Sequence, residues 1–222
     1  MIDLDVLRQI PMFASLAPDD LASVAAVTRE RRYARGDVIV LAGLDGGALY
    51  FVRRGLVKVY KTSDEGKEQT LRLMGPGQTF NDVPALDGGP NPASAMAMEP
   101  TVVYAVSGAQ LRRLIVERPG VAEATVRTLG AALRHLVTLV EDLSFRHVRA
   151  RVAKILLEQE ERIAQSDQEP HRLTQQEIAA LAGTAREMVG RALKELEGAG
   201  AIRSAHGVIS VVNRERLQLL MQ

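Results

Sequence analysis

The feature that most constrains the fold of this 222-residue chain is a pair of short helix signals on either side of one glycine, between residues 173 and 197. Thr174-Gln-Gln-Glu177 predicts a capping box, in which the threonine hydroxyl and the glutamate carboxylate each accept a backbone N–H of the other residue. Gly183 ends this helix, and Thr184-Ala-Arg-Glu187 predicts a second cap and a second helix. Two short helices joined in this way predict a helix-turn-helix, whose second helix can lie in the major groove of DNA.

The second helix has a polar face suited to reading bases. Arginine can donate two hydrogen bonds to guanine, and glutamate can accept one from cytosine. We assign its apolar positions (Met188, Ala192, Leu193 and Leu196) to the core. The predicted DNA-contacting residues are Thr174, Thr184, Arg186, Glu187, Gly190, Arg191, Lys194 and His206. Two interpretations stay open at this point: Glu187 reads a base or only completes the cap, and Lys194, Arg203, Ser204 and His206 contact phosphate or are simply solvated.

A β-hairpin and a last helix follow these two helices. Ile202 to Ala205 and Val208 to Val212 predict two strands that flank a His206-Gly207 turn, and Asn213 predicts the cap of a final helix. The hairpin is in the position of the wing in a winged helix-turn-helix. We therefore expect a DNA-binding domain over residues 145–222.

The most regular apolar pattern of the chain precedes this domain. Its members recur at spacings of 3, 4, 3, 4 and 3 residues: Val126, Leu129, Leu133, Leu136, Val140 and Leu143. Such a narrow stripe favours a helix that packs lengthwise against its own copy, which predicts a homodimer. The alternative is a helix that packs only on the core of its own chain. We expect this dimerisation helix over residues 119–144.

The first half of the chain consists of short β-favouring runs separated by glycines. They predict an antiparallel β-roll, preceded by helix up to residue 28, with a sensor domain over residues 1–118. The predicted runs are 37–41, 48–52, 56–60, 69–73, 93–98 and 102–106. The fold class is therefore α+β, with a jelly-roll-like N-terminal β-roll, a long central helix and a C-terminal winged helix-turn-helix.

Composition excludes several classes of function. The chain has no cysteine, which excludes disulfides and thiolate-bound metal centres. Its four histidines (135, 147, 171 and 206) all lie outside the predicted roll, so no histidine cluster can line it as in a metal-dependent cupin enzyme. No catalytic triad, phosphate-binding loop or 18-residue apolar run is present. We expect a cytoplasmic regulator that is not an enzyme and has no membrane segment.

Together these elements resemble the Crp/Fnr family of bacterial transcription regulators, over essentially the whole chain. The resemblance is carried by the β-roll, the predicted dimerisation helix, residues 173–183, Arg186-Glu-Met-Val-Gly-Arg191 and the wing at 202–207. It implies a cyclic-nucleotide-binding-like sensor domain, base contacts by Arg186, Glu187 and Arg191, and half-sites close to TGTGA. It also implies RNA polymerase as a partner, in the manner of an activator.

The sensor half departs from the pattern of the cyclic-AMP binders in that family. The segments that match their phosphate-binding pairs are Phe80 to Pro84 and Asn91 to Ala95, and Ala93 stands where the arginine is expected. A buried phosphate without a cation is unfavourable. We therefore expect that cyclic AMP is not the physiological effector.

An apolar effector pocket is expected instead, lined by Met74, Phe80, Asn81, Leu133, Leu136 and Val137. Three alternatives stay open: haem, with axial ligands from His135, His147, Met74 or Met96; a fatty or aromatic metabolite; or no effector at all.

Overall fold

The computed structural model describes residues 4–10, 12–45, 47–164, 171–205 and 208–221. The chain divides into two compact units, residues 1–61 with 72–135, and residues 62–71 with 136–222.

The first unit begins with two helices, α1 (Leu4–Arg8) and α2 (Pro18–Val27). Pro18 lies in the first turn of α2, where its missing N–H costs no helical hydrogen bond. Asp19 and Asp20 follow in the same turn, and their charges interact favourably with the helix dipole. The predicted helix before residue 28 is confirmed.

Two four-stranded antiparallel sheets form the predicted roll. One has the order β1-β8-β3-β6 and the other has the order β2-β7-β4-β5. The strands are β1 (Arg29–Tyr33), β2 (Val38–Val40), β3 (Ala48–Arg54), β4 (Val57–Thr62), β5 (Glu68–Met74), β6 (Thr79–Phe80), β7 (Ser94–Ala97) and β8 (Thr101–Ser107). All six predicted strands are present, whereas β1 and β6 were not predicted. Both of these lie at sheet edges, and β1 consists of four exposed charged residues and one half-buried tyrosine.

The side chains between the two sheets form one buried cluster. It contains Tyr50 and Phe80, whose rings stack with centroids 5.0 Å apart, together with Val52, Met74 and Val103. A second cluster joins the other face of the first sheet to the N-terminal helices, with Phe13 packed on Phe51. The roll therefore has apolar packing on both sides of its first sheet.

Three helices complete the sensor half: α3 (Asp82–Asp87), α4 (Gly108–Glu117) and α5 (Pro119–Phe145). Ser107 caps α4 by accepting the Gln110 amide. Pro119 is the first residue of α5, which has 27 residues and is therefore about 40 Å long. Residues 119–135 of α5 belong to the first unit and residues 136–145 to the second.

The second unit contains the predicted DNA-binding elements. They are α6 (Val148–Ala164), α7 (Gln175–Ala182), α8 (Arg186–Gly198), the hairpin β9 (Ile202–Ala205) and β10 (Val208–Val211), and α9 (Arg214–Leu219). The predicted winged helix-turn-helix is confirmed. No helix in the described part of the chain is long and apolar enough to cross a membrane.

Candidate nucleic-acid interface

The start of α7 is held by the predicted capping box. The Glu177 amide donates to the Thr174 hydroxyl over 3.2 Å, and the Thr174 amide donates to Glu177 Oε2 over 2.7 Å. His171 Nε2 lies 3.0 Å from the other carboxylate oxygen. Burial alone would raise the pKa of Glu177, but the hydrogen bonds with His171 and Thr174 outweigh burial and lower this pKa to about 2. Glu177 therefore anchors the helix as an ionised carboxylate.

Replacing Glu177 by glutamine is expected to lower the free energy of unfolding by about 1 to 2 kcal/mol at pH 7, because a capping carboxylate is lost. The folded pKa of Glu177 lies below its ordinary value of 4.5, so its contribution is present above pH 4.5 and is lost as the pH falls towards 2. Urea unfolding at pH 7, 5 and 4 measures this difference, which should shrink at the lowest pH. The control is Glu187→Gln, the same change at an exposed position of α8. An equal loss in both variants would contradict the role of the cap.

The turn between α7 and α8 depends on one glycine. Gly183 has φ +61°, a left-handed conformation that favours glycine. A Cβ at this position would lie 2.6 Å from Cδ2 of Leu143, so the last part of α5 closes over the turn. Any larger residue at Gly183 would meet backbone strain and would require the Leu143 side chain to move.

The second cap differs from the prediction. The Thr184 amide donates to the Ala179 carbonyl over 3.1 Å and so belongs to the end of α7. Ala185 is the N-cap of α8, without a side-chain hydrogen bond, and its carbonyl accepts from the Met188 and Val189 amides. The predicted cap at Thr184 is wrong, because that residue closes the preceding helix. Glu187 is consequently not the partner of a Thr184 cap.

Helix α8 is anchored by one apolar face and exposes the other. Its buried residues are Val189, Ala192, Leu193 and Leu196, an i, i+3, i+4, i+7 stripe. Met188, which was assigned to the core, is 39% exposed, and Val189 takes its place. The polar side chains proposed for DNA contact, Arg186, Glu187, Arg191 and Lys194, are all exposed on α8, as is Thr174 before α7, while Thr184 and Gly190 are half-buried.

Two arginines of α6 contact the helix-turn-helix, and neither contact was predicted from the sequence. Arg151 Nε donates to the Ala182 carbonyl over 2.7 Å, which satisfies a carbonyl at the end of α7. Arg149 lies 3.7 Å from the Glu195 carboxylate on α8. At the junction of α5 and α6, the buried Asp142 pairs with Lys154 and with Arg146. Arginines in an amphipathic helix give no sequence signal that separates such roles from solvation.

The wing is a two-stranded hairpin, with Arg203 and Ser204 exposed on β9. The Ser204 amide donates to the Glu197 carboxylate over 2.8 Å, which ties the wing to the end of α8. His206, predicted to contact DNA, lies outside the described residues. Asn213 caps α9 through the Arg216 amide, as predicted.

The apolar stripe of α5 is largely exposed in the single chain. Leu133 is 64% and Val140 is 62% exposed, and Val126 and Leu136 are also exposed. Leu129 is half-buried against its own chain, where it borders a small cavity with Thr125 and Thr128. Val126, Leu133, Leu136 and Val140 of the stripe are therefore left exposed by the described residues of the same chain.

The residues predicted for the effector pocket fall into two groups. Met74 and Phe80 belong to the buried cluster inside the roll, and Leu133, Leu136 and Val137 are exposed on α5. Asn81 has a left-handed backbone, with φ +64°, and its side-chain Nδ2 donates to the Ala48 carbonyl. Of the haem-ligand candidates, Met74 is 2% exposed inside the roll and His147 is exposed after α5. The described residues contain no cluster of three or more histidine or carboxylate side chains suited to a metal.

Comparison with known proteins agrees with both halves of this architecture. Residues 30–118 match the cyclic nucleotide-binding domain, and residues 150–220 match the Crp-like helix-turn-helix domain. The chain is 36% identical to the cyclic AMP receptor protein of Thermus thermophilus, over 92% of this chain and 94% of that protein. It is 30% identical to the CRP-like cAMP-activated global transcriptional regulator of Mycobacterium tuberculosis, over 96% and 97% of the two chains. The structure of FixK2 from Bradyrhizobium japonicum superposes with a TM-score of 0.76 at 28% identity, covering 88% of this chain and 98% of that one.

Proposed function

Because the chain belongs to the Crp/Fnr family of transcription regulators, we propose that it acts as an effector-responsive homodimer that binds a two-fold symmetric DNA operator through α8. The observation that carries this proposal is the exposure of Arg186, Glu187 and Arg191 on a helix whose opposite, apolar face is buried.

The charges of this face fit a base-reading role. A carboxylate near the phosphates of DNA is unfavourable unless it accepts a hydrogen bond, and the cytosine amino group offers one. With Thr184 assigned to the end of α7, Glu187 has no cap to complete there. Arg186 and Arg191 supply donors for guanine on either side. The family resemblance implies a half-site similar to TGTGA, and we propose that each protomer reads one copy.

We expect the apolar stripe of α5, the seam, to pack against its copy and so to pair the two protomers of the homodimer. When the stripe is written as a heptad, Val126, Leu133 and Val140 occupy the a positions, and Leu129, Leu136 and Leu143 occupy the d positions. Leucine at the d positions and valine at two of the three a positions suit a parallel, two-stranded pair of helices. A parallel pair has its two-fold axis along the helices, so both copies of α8 would face the same side of the DNA. Their half-sites would then lie about one helical turn apart, roughly 34 to 36 Å.

The sensor domain gives the second part of the proposal. The relatives from Thermus thermophilus and Mycobacterium tuberculosis are named for cyclic AMP. In this chain Ala93 is buried and carries no charge, and Ser94 Oγ accepts the Ala42 amide over 3.0 Å. The position that should hold the cyclic phosphate therefore lacks its cation. We propose an effector other than cyclic AMP, which acts by favouring one of two dimer arrangements.

Selection of genomic fragments by the purified protein is expected to enrich a palindrome with TGTGA-like half-sites. The measurement is sequencing of bound fragments, followed by competition between the enriched duplex and a shuffled duplex at fixed salt, because non-specific binding depends on salt. Equal affinity for the two duplexes would refute the proposed function.

Two measurements on the same sample test the effector. Calorimetry with cyclic AMP tests its exclusion, which tight, DNA-activating binding would contradict. A visible absorption spectrum tests for haem, which a Soret band would establish.

A further inference from the structure

The junction between α5 and α6 consists of two exposed residues, Arg146 and His147. Phe145, the last residue of α5, is 84% exposed. These residues therefore gain little from apolar burial. The contacts described for the junction are hydrogen bonds and ion pairs instead.

Arg151, in the first turn of α6, contacts the junction and the helix-turn-helix at the same time. Its Nη1 atom donates to the Arg146 carbonyl over 2.5 Å, and its Nε atom donates to the Ala182 carbonyl over 2.7 Å. Carbonyls at the ends of helices lack intrahelical donors, and a cation there also interacts favourably with the helix dipole. One guanidinium thus joins the carbonyl that directly follows α5 to the last carbonyl of α7.

The helix-turn-helix does not need this guanidinium to pack on α6. Helices α7 and α8 both contact α6, and each of the three helices has buried apolar residues, such as Ile155, Ile178 and Leu196. Removing the two hydrogen bonds of Arg151 should leave this apolar packing in place. What would be lost is the connection between the helix-turn-helix and the junction.

An ion pair also crosses the junction. The Asp142 carboxylate, near the end of α5, pairs with Lys154 of α6, and it lies 2.9 Å from Nε of Arg146. Asp142 is buried, and breaking a buried pair is costly because it leaves a charge without a partner. The end of α5 is therefore attached to α6 by polar contacts at Asp142 as well as at Arg151.

The same part of α5 contains the seam residues Leu136, Val140 and Leu143. Under the proposed pairing these residues lie along the two-fold axis, so the angle between this part of α5 and α6 sets the separation of the two copies of α8. We propose that Arg151 is a positioning residue, which fixes this angle by joining the junction to the end of α7. It would thereby set the spacing of half-sites that the dimer accepts.

This inference deepens the proposed function and rests on it for the effect on DNA, whereas the position of α8 can be measured without DNA. The chain has no cysteine, so Glu141→Cys on α5 and Lys194→Cys on α8 give two unique, exposed attachment points for spin labels. Double electron–electron resonance on labelled chains diluted with unlabelled protein measures the distance between them. We expect a narrow distribution that widens roughly twofold in Arg151→Gln, because the hydrogen bonds that hold the junction are lost.

Operator binding should separate positioning from direct contact with DNA. Arg151→Gln is expected to lower the affinity for the full palindrome about tenfold but to leave the affinity for a duplex with one half-site unchanged, because only the linked second contact depends on a preset separation. Moving the half-sites together or apart by one base pair should affect the variant less than the unaltered protein. The salt dependence should stay the same, whereas a lost phosphate contact would lower it.

Arg149→Gln is the matched control for these measurements. Arg149 is exposed on the same helix, and its described ion pair is with Glu195 of α8 rather than with the junction. Arg151→Lys keeps the charge but replaces the planar fork by a single amine, so it should show a smaller change in the same direction. This variant carries the test if thermal unfolding shows that Arg151→Gln does not fold.

Two results would overturn the proposal: a distance distribution in the Arg151 variants equal to that of the unaltered chain, or equal losses of affinity for the single half-site and the full palindrome. The regulator function fails differently, namely when the unaltered protein binds the enriched palindrome and a shuffled duplex equally. In that case the distance measurement still decides whether Arg151 fixes the position of α8.

Discussion

Replacing Arg191 by alanine is expected to reduce the affinity for each cognate half-site roughly 5- to 150-fold, the equivalent of about 1 to 3 kcal/mol for a bidentate contact with guanine. Arg191 is exposed on α8, one residue before the buried Ala192, so its removal leaves the apolar anchor of the helix intact. The loss should be confined to operators that carry the guanine. Titration of a panel with each base pair substituted in turn measures it, because the preference should relax at one position only.

Lys194→Ala provides the contrast within the same helix. Lys194 is also exposed on α8, and a lysine that contacts phosphate contributes equally on every sequence. Its loss should weaken binding to cognate and shuffled duplexes alike and lower the salt dependence by about one counterion. If Arg191→Ala behaves in the same way, Arg191 contacts phosphate and the proposed base reading is wrong.

Replacing Val140 by glutamate is expected to raise the dissociation constant of the homodimer at least about 100-fold. In a parallel pair of helices the two a positions face each other, so two carboxylates would be brought together in an apolar seam. A monomer contacts only one half-site, and the loss of the linked second contact should lower operator affinity by about 10² to 10⁴. Analytical ultracentrifugation and operator titration measure the two effects.

The matched control is Val116→Glu on α4, away from the seam. Val116 is 85% and Val140 is 62% exposed in the single chain, so neither substitution should unfold a protomer. Thermal unfolding checks this point. If the Val140 variant remains dimeric at micromolar concentration, α5 does not provide the interface and the stripe has another partner.

The start and the end of α7, each defined by signals within a few residues, were predicted well from the sequence. Thr174 and Glu177 form a capping box through contacts three residues apart, and Gly183 ends α7 through its own backbone freedom. Such signals are local. The strand β1 escaped prediction because four of its five residues are charged and exposed, so it is defined by pairing with β8 rather than by hydrophobic alternation.

The features that were missed depend on the exact start of a helix or on contacts between distant residues. Whether Met188 or Val189 faces the core of α8 depends on the phase of the helix, which is fixed by its start at Arg186 after the Ala185 cap. Asp82 lies on α3 and is not exceptional in sequence. Only the folded chain shows that its Oδ1 atom is buried without a hydrogen-bond partner among the described residues.

Helix α5 is shared between the two compact units, with the boundary after His135. Val126, Leu129 and Leu133 thus lie in the portion that belongs to the roll, and Leu136, Val140 and Leu143 lie in the portion that belongs to the DNA-binding elements. The seam residues of both units therefore belong to one helix. Under the proposed pairing, a polar substitution at Leu133, in the first unit, should weaken assembly and thereby reduce operator binding through the second unit.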